Sequence, residues 1–250
     1  MLSKNKIKYI RSLELKKNRI ENGTFVAEGN KLVSDILSKF ECQFLAAKET
    51  WIAQQGNIPS EEIVETDEED IRRASFLNNP QDVIAVFKLP QWKIEDVKPS
   101  EHLVLALDGI QNPGNLGTII RLADWFGISH IVCSEDTADA FSPKVVQATM
   151  GSLAHVEVHY VSLDKYLKEQ ATKQVPLFGT FLDGEVIYNK ELSNHGIIVM
   201  GNEGNGIRPE IASLIKERLY IPHAFNREAE SLNVAIATAI ICSEFLRRTI

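Results

Sequence analysis

Residues 103–127 read LVLALDGIQNPGNLGTIIRLADWFG, and this stretch decides the fold class. LVLALD is apolar at successive positions, as a strand covered on both faces of a parallel sheet must be. Gly109, Gly114 and Gly117 then permit a tight bend and close backbone approach, and apolar periodicity predicts a helix over 116–126. Strand, glycine-bearing bend and helix form the repeating unit of an α/β sheet, whose ligands bind beyond the carboxyl ends of the strands. Asn115 brings a polar amide to this first bend. Arg121, set among apolar Ile119, Ile120, Leu122 and Ala123, is expected to project a guanidinium suited to phosphate toward the same corner.

The pattern continues downstream. Strands HIVCS, VEVHYV, VPLFGTFL, GIIVMG and RLYIP are separated by helices predicted at 143–150, 163–171 and near 209–217, which implies a largely parallel sheet. Ser142-Pro143 reads as a helix cap followed by proline in the first turn and needs no functional explanation. A second bend, VMGNEGNGI (199–207), again follows a buried strand, with Glu203 as a hydrogen-bond acceptor in its middle. It lacks the Lys and Ser/Thr of a phosphate-binding P-loop, and its glycine order is not the dinucleotide fingerprint. ATPases, GTPases and nicotinamide-dependent oxidoreductases are thereby disfavoured. The third bend lies in LYIPHAFNREAESLNVAIATAIICSEFLRR (219–248). A long final helix is predicted from about Ser231, with Ser231 as its N-cap and Asn233 in its first turn; capping alone accounts for Ser231 as readily as a ligand role does. Leu232 and Val234 read as core, His223 as an incidental loop residue.

Upstream, TFVAEG, NKLVSDILSKF, CQFLAAK, EEIVET, an acidic helix near Asp67 and VIAVFK make a smaller α/β unit ending near Leu89. PQWKIEDVKPSE (90–101) carries prolines near both ends and no clean period, and reads as a linker. Two domains are expected, 1–95 and 96–250. The chain opens on a predicted basic helix from Lys4 to Ile20, with Ile7, Ile10, Leu13 and Ile20 near helical spacing. Residues 1–20 hold Lys4, Lys6, Lys8, Arg11, Lys16, Lys17 and Arg19 against Glu14, whereas 61–70 holds seven acids and no base. A net charge of −7 excludes indiscriminate coating of nucleic acid but not a local basic patch. Cys42, Cys133 and Cys242 sit apart in apolar sequence and read as buried free thiols; without a CxxC pair or His/Cys cluster, no metal is expected. No apolar run approaches membrane-spanning length and the amino terminus lacks a signal-peptide core, so the expected location is the cytoplasm.

Taken together and in order, NPGNLGTIIRLADWFG (112–127), IVMGNEGNGI (198–207) and YIP…SLNVAIATAIICSEFLRR resemble the three signature motifs of the SpoU-type, or TrmH-like, RNA ribose methyltransferases of the SPOUT superfamily. SPKVVQATMGSLAHVEV (142–158) also resembles that family, and KNRIENGTFVAEGNKLV (17–33) resembles its RNA-binding domain. The likeness spans nearly the whole chain. It implies an L30e-like substrate-binding domain followed by a SPOUT domain with a mostly parallel sheet and a deep trefoil knot, a topology that default expectations exclude. It also implies S-adenosylmethionine as cofactor, held at Gly201, Ile221 and Leu232 with Thr180 and Met200 as neighbours, and a homodimer in which the first motif of one subunit meets the cofactor of the other. HAFNREAE (223–230) is longer than the usual family loop, and His223 stands where methionine is usual, which weakens the carry-over there.

The implied activity is methylation of a ribose 2′-hydroxyl in RNA, with rRNA favoured over tRNA because of the L30e-like domain. Such a displacement needs alignment of oxygen, methyl and sulfur rather than a metal, and help in deprotonating a poor nucleophile. By resemblance Arg121 supplies that help, directly or by fixing a phosphate, while Asn115, Glu203, Ser231 and Asn233 shape the site. Lys6, Arg11, Lys16, Lys17 and Arg19 are expected to touch RNA phosphates. A non-catalytic RNA-binding module of ribosome assembly is the alternative that would keep the fold yet fail to bind the cofactor.

Overall fold

The computed structural model describes residues 1–224 and 231–247, so most of HAFNREAE lies outside the described residues. In chain order the elements are α1 (Lys4–Ser12), α2 (Lys16–Asn22), β1 (Thr24–Glu28), α3 (Asn30–Ile36), β2 (Cys42–Ala47), α4 (Glu49–Gln54), β3 (Ile63–Glu65), α5 (Glu68–Ala74) and β4 (Val83–Lys88). There follow β5 (Leu103–Asp108), α6 (Pro113–Trp125), β6 (His130–Ser134), α7 (Pro143–Thr149), β7 (Glu157–Val161) and α8 (Leu163–Thr172). Last come β8 (Leu177–Val186), β9 (Gly196–Gly201), α9 (Pro209–Ala212), β10 (Glu217–Tyr220) and α10 (Val234–Arg247). They gather into two compact units: Met1–Gln91 with Asp139–Ala154, and Trp92–Ala138 with His155–Ile250. The first unit thus takes in a later segment, 139–154, that lies far from it in sequence.

In the first unit the strand order is β1-β4-β2-β3, with β4 antiparallel to both β1 and β2 and β3 parallel to β2. Leu32, Val33, Ile36, Leu37 and Phe40, the apolar face read for the helix after β1, are all buried. Phe25 stacks against Phe87 and meets Phe40 and Phe141 at tilted or edge-on angles, so the later segment contributes an aromatic ring to this core. Ser142 caps α7 by accepting from the Val145 N–H, with Pro143 at the first turn.

The basic opening helix is two helices, not one. The chain breaks after Ser12, Leu15 precedes the new start and Gly23 ends α2 in the left-handed region. A helix end leaves carbonyls without partners. Arg19 supplies them: its Nη1 donates to the Leu13 and Glu14 carbonyls, 2.7 Å each, and Nη2 pairs with Asp139 at 2.5 Å. Ile10 and Leu13 are buried, as their spacing predicts, but Ile20 is exposed.

In the second unit the order is β10-β8-β9-β5-β6-β7 and every pairing is parallel. β5, β9 and β6, in the interior of the sheet, are nearly wholly buried, which is why LVLALD, GIIVMG and HIVCS read as continuous apolar runs. The helix expected near 209–217 is confined to α9; Ile215 beyond it is buried in a turn. All three cysteines are free and buried; burial raises the Cys242 thiol to about 12 and Cys133 further. Among the described residues no helix is long and apolar enough to cross a membrane.

Candidate functional site

β5 and β9 are neighbours, with Asp108 opposite Gly201, so their carboxyl ends deliver the first two glycine bends to one place. The bends are tied together. Asn202 Nδ2 donates to the Gly109 carbonyl at 2.7 Å, and Asn202 Oδ1 accepts from the Gly204 and Asn205 N–H groups. Gly109 has φ +72°, the left-handed region open to glycine, and its N–H donates to Ser134 Oγ at 2.8 Å. Asn112 caps α6 by accepting from Gly114 and Asn115. Below the bends lies Asp108, with a side chain shut off from solvent. Arg208 holds it through its backbone N–H at 2.8 Å, Nε at 2.6 Å and Nη2 at 2.5 Å. A carboxylate so placed is tolerable because it is paired and hydrogen-bonded.

The third bend joins through a chain of amides. Asn115 Nδ2 donates to Glu203 Oε1 at 2.7 Å, and Asn115 Oδ1 accepts from Asn233 Nδ2 at 3.0 Å. The direction of this chain is dictated by chemistry. A carboxylate only accepts, so Asn115 must turn its NH2 to Glu203 and its oxygen to Asn233. The Asn233 oxygen is then left facing the helix N–H groups, and it accepts from Ala235 at 2.9 Å and Ile236 at 3.3 Å. Asn115, Glu203 and Asn233, one residue from each motif, therefore form one network.

This corrects the reading of the final helix. α10 begins at Val234 and Asn233 caps it; Ser231 is exposed and outside the helix. Ser231 and Asn233 are both good capping types, and the choice fell to the residue that also reaches Asn115.

Beside the network is a cavity of about 240 Å³ lined by Thr180, Phe181, Leu219, Ile221, Ser231 and Leu232, among others. It lies beside the middle of β8 and the carboxyl end of β10, where the register between the two strands slips between Arg218 and Leu219. Its walls are mainly apolar, with hydroxyl-bearing Thr180, Tyr220 and Ser231 among the lining residues and Ile221, Pro222 and His223 completing them. Four of the expected cofactor and site residues, Thr180, Ile221, Ser231 and Leu232, thus meet here. Met200 does not line the cavity: its side chain is buried within the sheet. Gly201 serves from behind, since a Cβ there would lie 2.3 Å from the backbone of Gly206 and Ile207.

Arg121 stands apart. It lies on an exposed ridge of α6 with Thr118 and Trp125, and makes no hydrogen bond or ion pair among the described residues. Of the expected RNA contacts, Arg19 is contradicted: it is 2% exposed and spent on the α1 break and Asp139. Lys6 is half-buried, paired with Glu62 at 2.5 Å and set over the Phe44 ring, and Arg11 bonds the Ser75 carbonyl and lies over Phe76. Lys16 and Lys17 remain exposed. Asn112, Asn202, Asp108 and Arg208 escaped the sequence reading. An acid ending an otherwise apolar strand was the available signal for the last two.

Residues 102–243 match the family model described as SpoU rRNA Methylase family, and residues 4–85 match that of the MRM3-like substrate binding domain. The 23S rRNA (guanosine(2553)-2′-O)-methyltransferase RlmP of Bacillus subtilis is 33% identical over 244 residues, 94% of each chain. A Porphyromonas gingivalis structure assigned to the TrmH family of RNA methyltransferases superposes with TM-score 0.92 at 44% identity, covering 99% of both chains. The AdoMet-bound rRNA methyltransferase of Sinorhizobium meliloti superposes with TM-score 0.89 at 33% identity, covering 100% of this chain and 97% of the other.

Proposed function

The chain belongs to the SpoU rRNA methylase family, and from that premise we propose that it transfers a methyl group from S-adenosylmethionine to a ribose 2′-hydroxyl of ribosomal RNA. The observation that carries this reading is the convergence of the three bends, joined by Asn115, Glu203 and Asn233, beside the cavity at Ile221 and Leu232. The residues present fit the cofactor: apolar walls suit a flat heterocycle, while the hydroxyl-bearing Thr180, Tyr220 and Ser231 supply orienting partners. S-adenosylmethionine bound there would supply an electrophilic methyl on a sulfonium, with the neutral thioether as leaving group. Ile221, Leu232 and Thr180 would hold and orient it, and the Asn115 network fixes the bends around the cavity.

A guanidinium offers donors and no acceptor, so Arg121 is unfit as a base. Its role is to bind the phosphate next to the reacting ribose and to stabilise negative charge on the oxygen. Because Arg121 is exposed on α6 and does not line its own cavity, the reading includes a homodimer in which it serves the partner's site. Trp125, one helical turn beyond Arg121 on α6, and Ile236 on the packed helix α10 are both exposed, and exposed apolar side chains of this kind support an interface. A trefoil knot is part of the reading through the family and accords with the wholly parallel second sheet, and the 1–95 unit is supported by the match of residues 4–85 to a substrate-binding model. A cytoplasmic location follows from an rRNA substrate and accords with three free buried thiols.

The test is incubation of the purified protein with methyl-labelled donor and separate rRNA and tRNA pools. Label in large rRNA is expected; label confined to tRNA overturns the substrate, and donor binding that is absent by calorimetry favours the non-catalytic module. For the amino-terminal unit, Lys16→Glu with Lys17→Glu is expected to weaken RNA binding and lower the slope of log affinity against log salt by about 1 per lysine. Arg19→Ala is expected to destabilise the fold instead, since it strips partners from Asp139 and two carbonyls. An unchanged salt slope in the lysine variant would return this surface to a merely solvated face.

A further inference from the structure

One cluster among the described residues takes no part in the cavity or its network. β7 is the last strand of the parallel sheet, and its register against β6 sets Glu157 opposite His130 and His159 opposite Val132. Residues two apart on a strand share a face, so Glu157, His159 and His130 stand together on one side of the sheet. A single oxygen, Glu157 Oε2, lies 3.6 Å from His130 Nδ1 and 3.5 Å from His159 Nε2. All three donor atoms fall within 4.8 Å of one another.

Both imidazole nitrogens are buried, and neither has a hydrogen-bond partner. The His159 side chain is only 4% exposed. Buried polar atoms are nearly always satisfied, so two orphans aimed at one carboxylate oxygen need an explanation. The separations are long for hydrogen bonds, yet close to the edge of about 3.4 Å expected between ligands of a tetrahedral ion with bonds near 2.1 Å. Two imidazoles and one carboxylate form a donor set that suits zinc.

We propose that His130, Glu157 and His159 form a three-ligand site for a divalent transition cation, with zinc as the expected occupant. The surroundings favour it. Burial, and then the neighbouring His130, hold the His159 imidazole down at about 4, leaving its lone pair open at neutral pH, while Asp96 and Glu95 bias the spot toward positive charge. The Trp92 ring, 6.3 Å from that of His159 between centroids, flanks the site with apolar surface. His130 and Glu157 are the first residues of β6 and β7. The cluster therefore sits at the amino ends of the strands, opposite the edge where the glycine bends gather. A cation there clamps the edge strand β7 to β6 rather than joining the methyl transfer.

The experiment uses the full chain after chelator treatment, titrated with Zn²⁺ by calorimetry and with Co²⁺ by visible absorption. Binding of one cation per chain is expected, with a four-coordinate cobalt spectrum lacking thiolate charge transfer and a zinc-dependent rise in Tm. Glu157→Gln and His159→Gln are each expected to weaken binding by at least about 10-fold and to abolish that rise. Cobalt that keeps its aqueous octahedral spectrum, or variants that bind zinc with wild-type stoichiometry and affinity, would overturn the site. If His159→Gln fails to fold, Glu157→Gln, at a half-exposed position, decides alone.

Discussion

Arg121→Ala is expected to lower methyl transfer to RNA by about 10²- to 10⁴-fold, the range for losing one group that assists proton removal or charge development in the transition state. Donor affinity and melting temperature should stay at their wild-type values. Both expectations come from its placement: Arg121 is exposed, unpaired among the described residues and away from the cavity lining. Among the described residues nothing is held in place by it. Single-turnover assays with labelled donor, set beside calorimetry of donor binding, separate the two effects, and an unchanged turnover removes Arg121 from the mechanism. Arg121→Lys should recover little, because one ammonium cannot reproduce the forked contact of a guanidinium with phosphate.

The second large effect is expected at Gly201. Its missing Cβ is the space occupied by the backbone of Gly206 and Ile207, 2.3 Å from where the atom would be. That peptide unit cannot swing aside as a side-chain end can. Gly201→Ala should therefore cost at least about 3 kcal/mol, the upper end for forced overpacking, and displace the bend that carries Asn202 and Glu203. Denaturant unfolding measures the first consequence and donor titration the second. A variant with wild-type stability and donor affinity would show that the bend has another way to close.

The parallel sheet was legible because buried strands have little choice of composition: β5, β6 and β9 are apolar along their interiors, and each glycine bend falls at a strand's carboxyl end. Legibility failed where a tertiary contact chose between equal local options. Ser231 and Asn233 both suit a helix start, and a bond from Asn233 to Asn115, far away in sequence, selects the second. The Lys4–Ile20 stretch has helical spacing throughout, yet Arg19 stabilises a break by satisfying the freed carbonyls. A basic residue counted as surface charge thus became a buried tie. The segment 139–154 reads locally as helix and loop; tertiary contacts, among them Phe141 against Phe25 and Asp139 against Arg19, place it with the first unit. The His130, Glu157 and His159 cluster escaped for the same reason, since sheet register rather than sequence spacing brings the donors together.

The site's polar skeleton was partly readable. Asn115, Glu203 and Asn233 were named from three separate motifs, and the structure ties them into one chain. Asp108 with Arg208, and Asn202 with Gly109, needed the fold, because their partners come from different bends.

The most direct test follows the methyl group. RNA labelled by the protein and then hydrolysed in alkali loses every linkage that has a free 2′-hydroxyl. Recovery of the label in an alkali-resistant dinucleotide from rRNA is expected, as a methylated ribose requires. Label recovered on a base in an ordinary mononucleotide, or no transfer by protein that binds the donor, would contradict the proposed reaction.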